Sequence, residues 1–187
     1  MYGNIVLALW TIWGLYWLVS ARNTKTTRRR ESAASRAADL IPMILGILLM
    51  ALPIPPNHWL AGHPLPRTFT TYWIGVALIA IGLGFSVWAR MHLGSNWSGT
   101  VTLKESHQLV RSGPYGWVRH PIYTGLLLAI LGSAVARNEW RAAIGFALVV
   151  IALIRRVRIE ERWMREVFGA NYEAYQREVR ALVPFIV

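Results

Sequence analysis

Apolar and ionisable positions alternate in blocks along this chain, and each uncharged block is about the length of a membrane-crossing helix or half of one. Tyr2 to Ser20 carries no charge, and as a helix its 19 residues rise about 28 Å, close to the hydrocarbon thickness of a bilayer. Leu40 to Pro66 is also uncharged, but Pro53, Pro55 and Pro56 end any helix near Leu52, which predicts a short span followed by a loop. Thr68 to Ala89 adds 22 uncharged residues, with Tyr72, Trp73 and Trp88 near its ends, where interfacial aromatics belong. Pro121 to Ala136 and Ala142 to Ile154 are shorter, at 16 and 13 residues. Arg137, Asn138, Glu139, Trp140 and Arg141 join them, which reads as a tight helical hairpin with a charged tip that snorkels to the interface. The first block is not built like a signal peptide, because its basic cluster follows the apolar stretch instead of preceding it.

Beyond Ile154 the character changes. Val157, Glu160, Met164, Val167 and Phe168 keep helical spacing among interleaved arginines, so the last span continues as an amphipathic helix. Gly169 marks a break, Asn171 opens a second short helix, and Pro184 ends it. The segment Arg22 to Ala38 reads as a polar loop or short interfacial helix, and Pro53 to Arg67 as a loop. The expected architecture is all-α: an integral membrane bundle of about five spans with a C-terminal hairpin and cytoplasmic tail helices. Residues 1–89 form a first part carrying the basic loop 21–38, and residues 90–187 a second.

Composition sharpens this picture. In 187 residues, 55 % are apolar, yet the formal charge is +11. With the first loop inside, 17 of the 20 basic residues lie on inside segments and three (Arg67, Arg137 and Arg141) outside. The positive-inside rule then places the amino terminus outside and the carboxyl terminus in the cytoplasm. Basic charge that borders apolar helices meets anionic lipid headgroups, so membrane lipids and not nucleic acid are the expected partners. The absence of cysteine excludes a disulfide scaffold, a cysteine metal site and thiol catalysis. Dinucleotide, P-loop and His-Glu-x-x-His signatures are absent. His58 and His63 have no third ligand nearby, and no metal is expected.

Two places could carry chemistry. Pro121 suits the first turn of a helix, so His120 sits at that helix's amino end, where free N–H groups favour an anion. Tyr115 and Tyr123 add aromatic faces with hydroxyls. The second place is Glu160-Glu161, an acidic pair in an arginine-rich stretch. Arg156 precedes Glu160 by four residues and shares its helix face. A carboxylate near the bilayer calls for a cation. One carboxylate for an amine or sulfonium, with one arginine for a carboxylate substrate, is the inventory of methyl transfer. The same residues could also be topological anchors in a non-catalytic scaffold or small transporter.

Arg119-His120-Pro121-x-Tyr123-x-Gly125, preceded by His107-Gln108-Leu109-Val110 and Gly113-Pro114-Tyr115, resembles the isoprenylcysteine carboxyl methyltransferase family. So does the tail, with Glu160-Glu161, Phe168-Gly169, Tyr172, Tyr175 and Pro184-Phe185. The resemblance runs from Arg90 onward, about half of the chain, and parts of it are shared with phospholipid methyltransferases and sterol reductases. It implies that S-adenosyl-L-methionine is the cofactor, bound by His107, Gln108, Leu109, Val110, Tyr115, His120, Pro121, Ile122, Tyr123 and Glu160. It implies further that Arg156 faces the substrate carboxylate, so that Arg156 and Glu160 are the catalytic pair. Eukaryotic members have a glutamine seven residues before the His-x-Leu-Val segment, where this chain has Thr100. The implied acceptor is a lipophilic or lipid-linked carboxylate such as a prenylcysteine; a phospholipid amine or a small hydrophobic thiol is the alternative.

Overall fold

A computed structural model describes residues 3–21, 32–94 and 109–183, and the backbone of 27–30 and 102–104. Six α-helices dominate: α1 (Gly3–Ser20), α2 (Ala33–Ala51), α3 (Phe69–Leu93), α4 (Pro121–Arg137), α5 (Trp140–Phe168) and α6 (Ala170–Glu178). The expected hairpin is there, with Asn138 and Glu139 joining α4 to α5 and Asn138 in the left-handed region that a two-residue reversal demands.

Two antiparallel helix pairs form the bundle, and small residues set both. A Cβ built on Gly82 would lie 2.5 Å from the Gly125 carbonyl oxygen, and one on Gly46 would lie 2.5 Å from that of Gly145. Thus α3 closes on α4, and α2 on α5, at backbone-to-backbone distance. This is the packing expected where lipid removes the hydrophobic drive between helices and close contact replaces it. Helix α1 lies across the seam of the first pair. Its Trp10 indole N–H donates to Ser133 Oγ on α4 at 3.0 Å, and its Trp13 indole N–H to Ser86 Oγ on α3 at 2.8 Å. Large apolar side chains point outward instead, as at Leu7, Ile12 and Leu18, each about two-thirds exposed or more. By length and composition α2 and α3 can each cross a bilayer, and α1 and α4 are shorter apolar helices.

Three elements differ from expectation. Helix α2 begins at Ala33, seven residues before the uncharged block, because Ser32 caps it and Arg155 neutralises the buried Asp39. The charges at Arg36 and Asp39 therefore do not stop the helix. Residues 27–30, expected in a loop or helix, instead pair antiparallel with 102–104, a small ribbon in an otherwise helical fold. Helix α6 stops at Glu178, well before Pro184, which lies outside the described residues. The chain there turns extended and bonds to the segment before α4: the Arg119 N–H donates to the Arg180 carbonyl at 2.7 Å and the His120 N–H to that of Ala181 at 3.0 Å. Backbone pairing with a distant segment ends the helix before proline can.

Candidate active site

The extended tail, the loop before α4 and the upper part of α5 meet at one end of the bundle. Pro121 opens α4 and His120 is its N-cap residue, which puts the imidazole at the helix entrance as its sequence position implies. Tyr123, three residues on, stacks on that ring with centroids 5.8 Å apart. From α5, Glu160 Oε2 lies 3.5 Å from His120 Nδ1, and Glu161 Oε1 lies 3.3 Å from Nε2. One helical turn earlier, Arg156 donates from Nε to the Tyr123 hydroxyl at 2.8 Å, with its guanidinium over the same ring. The i,i+4 spacing of Arg156 and Glu160 thus places both on the face that looks at α4.

Burial opposes charge on every one of these groups, and mutual pairing outweighs it. It pushes the His120 pKa down, but the two flanking carboxylates more than compensate and hold it above the ordinary histidine value. Burial likewise raises the carboxyl groups, while His120 brings Glu160 below the usual range and, with Arg119, brings Glu161 to about 2. Arg156 stays charged, its loss of solvation offset by Tyr123 and Glu160. Arg119 and Arg156 balance the two carboxylates, so protonation of His120 gives the cluster one positive charge in excess.

An apolar and aromatic wall adjoins this cluster. Ala89 of α3, Tyr115 and Ile122 are buried together, with Trp17, Val110 and Tyr123 against them. Tyr115 is fixed in turn by the tail, since the Tyr175 hydroxyl donates to its carbonyl at 2.5 Å. Burial pushes the Tyr175 phenol up to about 12 and raises those of Tyr115 and Tyr172 further.

Of the residues singled out from sequence, Val110, Tyr115, His120, Ile122, Tyr123, Arg156 and Glu160 come together here. Pro121 is buried as the helix's first residue, and Leu109 is half-buried beside Val110. His107, Gln108 and Thr100 lie outside the described residues. Sequence reasoning gave no role to Arg119, Glu161 or Gln176, although they are wired into the same cluster. Arg119 Nε and Nη2 donate to Glu161 Oε1 at 2.8 and 2.5 Å, and Gln176 Nε2 donates to Oε2 at 3.1 Å. Their partners are 15 and 42 residues apart, beyond any local pattern, but two adjacent acids facing an Arg-His pair was a usable sign.

The chain is thus a bundle of glycine-closed apolar helices with an acid, arginine and aromatic cluster at one end. The chain belongs to the phospholipid methyltransferase family, whose model matches residues 70–171, more than half of its length. It is 29 % identical over 121 residues to a probable protein-S-isoprenylcysteine O-methyltransferase of Oryza sativa subsp. indica, covering 63 % of each chain. To the protein-S-isoprenylcysteine O-methyltransferase of Saccharomyces cerevisiae it is 33 % identical over 116 residues, covering 60 % of this chain and 48 % of the yeast protein. The chain thus spans less than two thirds of the length of these relatives. A solved structure of a eukaryotic intramembrane Ras methyltransferase shares the fold, with a TM-score of 0.54 and 24 % identity over 82 % of this chain and 52 % of the other. The resemblance drawn from the His-Pro-x-Tyr and Glu-Glu motifs is borne out by these relatives.

Proposed function

We propose that the chain is an S-adenosylmethionine-dependent methyltransferase that O-methylates a lipophilic carboxylate, of which a prenylcysteine is the model, at the cytoplasmic face of the membrane. One observation carries this reading: Glu160, His120, Tyr123 and Arg156 converge on one spot at the end of the apolar helices. The reading includes five spans, with the amino terminus outside, and a methyl-transfer part formed by residues 90–187.

The donor set suits the cofactor. Glu160 would meet its ammonium or sulfonium charge, and the wall of Val110, Tyr115, Ile122 and Tyr123 would take a flat purine. His107, Gln108, Leu109 and Pro121 complete the set implied by the family motif. When bound, the cofactor supplies an activated methyl group, so the protein need not break a strong bond by acid or base. Arg156 would hold the acceptor carboxylate, which is already ionised at neutral pH and needs no base. Protonation of His120, which its raised pKa favours, leaves the cluster with excess positive charge and so favours such an anion. What remains is alignment, which contributes up to about 7 to 11 kcal/mol in ideal cases, and exclusion of water by the tail and the lipid.

A phospholipid amine, which the family's description also suggests, would arrive protonated and require a base. Glu161 is occupied by Arg119 and Gln176, and both carboxylates are depressed, which argues against that acceptor. The test is isothermal titration of the purified protein with S-adenosylhomocysteine, followed by labelled methyl transfer to farnesylcysteine analogues, phosphatidylethanolamine and hydrophobic thiols. We expect heat of binding in the wild type, its loss in Glu160→Gln, and labelling of the carboxylate acceptor. An absence of heat in the wild type overturns the cofactor; labelling of the amine alone overturns the acceptor.

A further inference from the structure

Glu161 has no part in the reading above, yet it has more side-chain partners than its neighbour. Its Oε1 accepts from Arg119 and faces His120 Nε2, and its Oε2 accepts from Gln176 of α6. Glu160, one residue earlier, is twice as exposed in its side chain, 30 % against 14 %. Arg119 is itself held from the far side, since its Nη1 donates to the carbonyls of Gln176, at 3.2 Å, and of Val179. The tail therefore fixes Arg119, Arg119 fixes Glu161, and Glu161 meets the ring nitrogen opposite the one that faces Glu160.

An ionised carboxylate only accepts hydrogen bonds, and a neutral imidazole has one N–H. A ring placed between two carboxylates satisfies both only as an imidazolium, with Nδ1 and Nε2 both donating. We propose that Glu161 is a positioning residue of this site: anchored by Arg119 and Gln176, it fixes the His120 ring as an imidazolium whose Nδ1 faces Glu160, leaving Glu160 as the carboxylate of the pair that meets a cationic ligand. The second half of this proposal rests on the methyltransferase reading; the first does not. It explains why two adjacent acids serve one site: the one turned toward the tail sets the ring, and Glu160, beside Tyr123 and with the more exposed side chain, keeps surface for a ligand.

The charges around His120 make the coupling measurable. Glu160 and Glu161 of α5 face it and Tyr123 of α4 stacks on it, while Arg156 of α5, Tyr172 of α6, and Arg119 and Tyr115 of the preceding loop stand around those two carboxylates. Both carboxyl groups lie below the usual carboxylate range, held there chiefly by His120 against burial. His120, which the two carboxylates raise above the ordinary histidine value against burial, is the group whose titration reads the coupling.

The experiment is a histidine NMR titration of the full chain in nanodiscs, with the His120 signal assigned by its loss in His120→Gln. We expect the His120 midpoint to lie above the ordinary range in the wild type and to fall by about one pH unit or more in Glu161→Gln, the shift that loss of a contacting charge produces. An unchanged midpoint in a folded Glu161→Gln, judged by its melting transition, overturns the proposal. If that variant does not fold, Glu161→Asp withdraws the carboxylate by one methylene; a smaller drop supports the proposal and no drop overturns it. S-adenosylhomocysteine binding is measured on the same samples, with affinity expected to weaken about tenfold in Glu161→Gln. A fall in midpoint with no binding even in the wild type overturns the ligand half together with the methyltransferase reading. Intact binding with an unmoved midpoint overturns the positioning role and leaves that reading standing.

Discussion

His120 is held more firmly in the fold when it is charged, which fixes the sign of its pH dependence. Its folded pKa is raised above the ordinary 6.5 by Glu160 and Glu161 acting against burial. Its contribution is therefore complete below about pH 6.5 and lost as pH rises through the higher folded value. Glu161 is the converse case: depressed from 4.5 to about 2, it contributes fully above about pH 4.5 and loses that as pH falls toward 2. The melting temperatures of wild type and His120→Gln should thus differ by a constant amount between about pH 5 and 6.5 and converge on the alkaline side. A gap that widens with pH would mean His120 is buried neutral. Arg119→Ala should cost about 3 kcal/mol in chemical denaturation, because it leaves the nearly buried Glu161 without its cation and frees two tail carbonyls. At this scale the sequence was legible where spacing is short. Arg156 and Glu160 lie one turn apart and His120 and Tyr123 three residues apart, so a helix alone brings each pair together. The contact of Arg119 with Glu161 spans 42 residues and depends on how α5 lies against α4, which no local pattern encodes.

Helix contacts here depend on side chains that are missing. Gly82 and Gly84 occupy the same helix two residues apart and predict opposite outcomes. A Cβ on Gly82 would meet the Gly125 oxygen at 2.5 Å and the Ala129 nitrogen at 2.6 Å, both backbone atoms that cannot turn aside, whereas one on Gly84 meets nothing within 4 Å. Gly82→Ala must push α3 from α4 and should destabilise by about 1 to 3 kcal/mol, with Tyr123 displaced along with α4. Gly84→Ala should be neutral or stabilising by up to about 1 kcal/mol, through helix propensity. Melting curves of the two variants in detergent decide this, and equal effects would show that the close approach of α3 and α4 is not rigid. The glycines were plain in the sequence, but which of them face another helix was not, because an apolar helix bathed in lipid shows little amphipathic contrast to orient it. The hydrophobic blocks locate α1, α3, α4 and the start of α5, while the charged first turns of α2 fall in the segment that reads as a polar loop or short interfacial helix. The ion pair between Asp39 and Arg155 that admits them comes from a distant helix.

Aromatic residues mark two levels of the molecule. Trp88 and Trp117 meet edge to face at 5.5 Å near the site, and Phe69 and Trp73 cluster at the other end of α3 with Trp59 and Trp140 exposed. The 15 to 19 residues from Trp73 or Phe69 to Trp88 rise about 22 to 28 Å, a little less than the hydrocarbon core, as two interfacial belts would. The tip between α4 and α5 is pinned at the far level: the Asn138 side chain pairs with both backbone groups of Leu65, and the His63 ring meets the Asn138 carbonyl at 2.6 Å. The proposed topology puts loop 53–67 and α6 on opposite sides of the bilayer, with the loop outside and α6 in the cytoplasm. Because the chain has no cysteine, single labels can be introduced without background. Asn57 and Glu173 are both exposed, on the loop and on α6. In intact cells Asn57→Cys should react with a membrane-impermeant maleimide, and Glu173→Cys only after permeabilisation. The reverse pattern would put His120 and Glu160 outside the cell, away from any cytosolic cofactor, and would defeat the proposed chemistry even with every contact of the site intact. Labelling of both from one side would mean instead that α3 does not cross the bilayer, since a hairpin of α4 and α5 returns the chain to the side where α3 ends. The length of α3 argues against that, because its 25 residues are apolar enough to cross and it closes on α4 from Gly75 to Gly82.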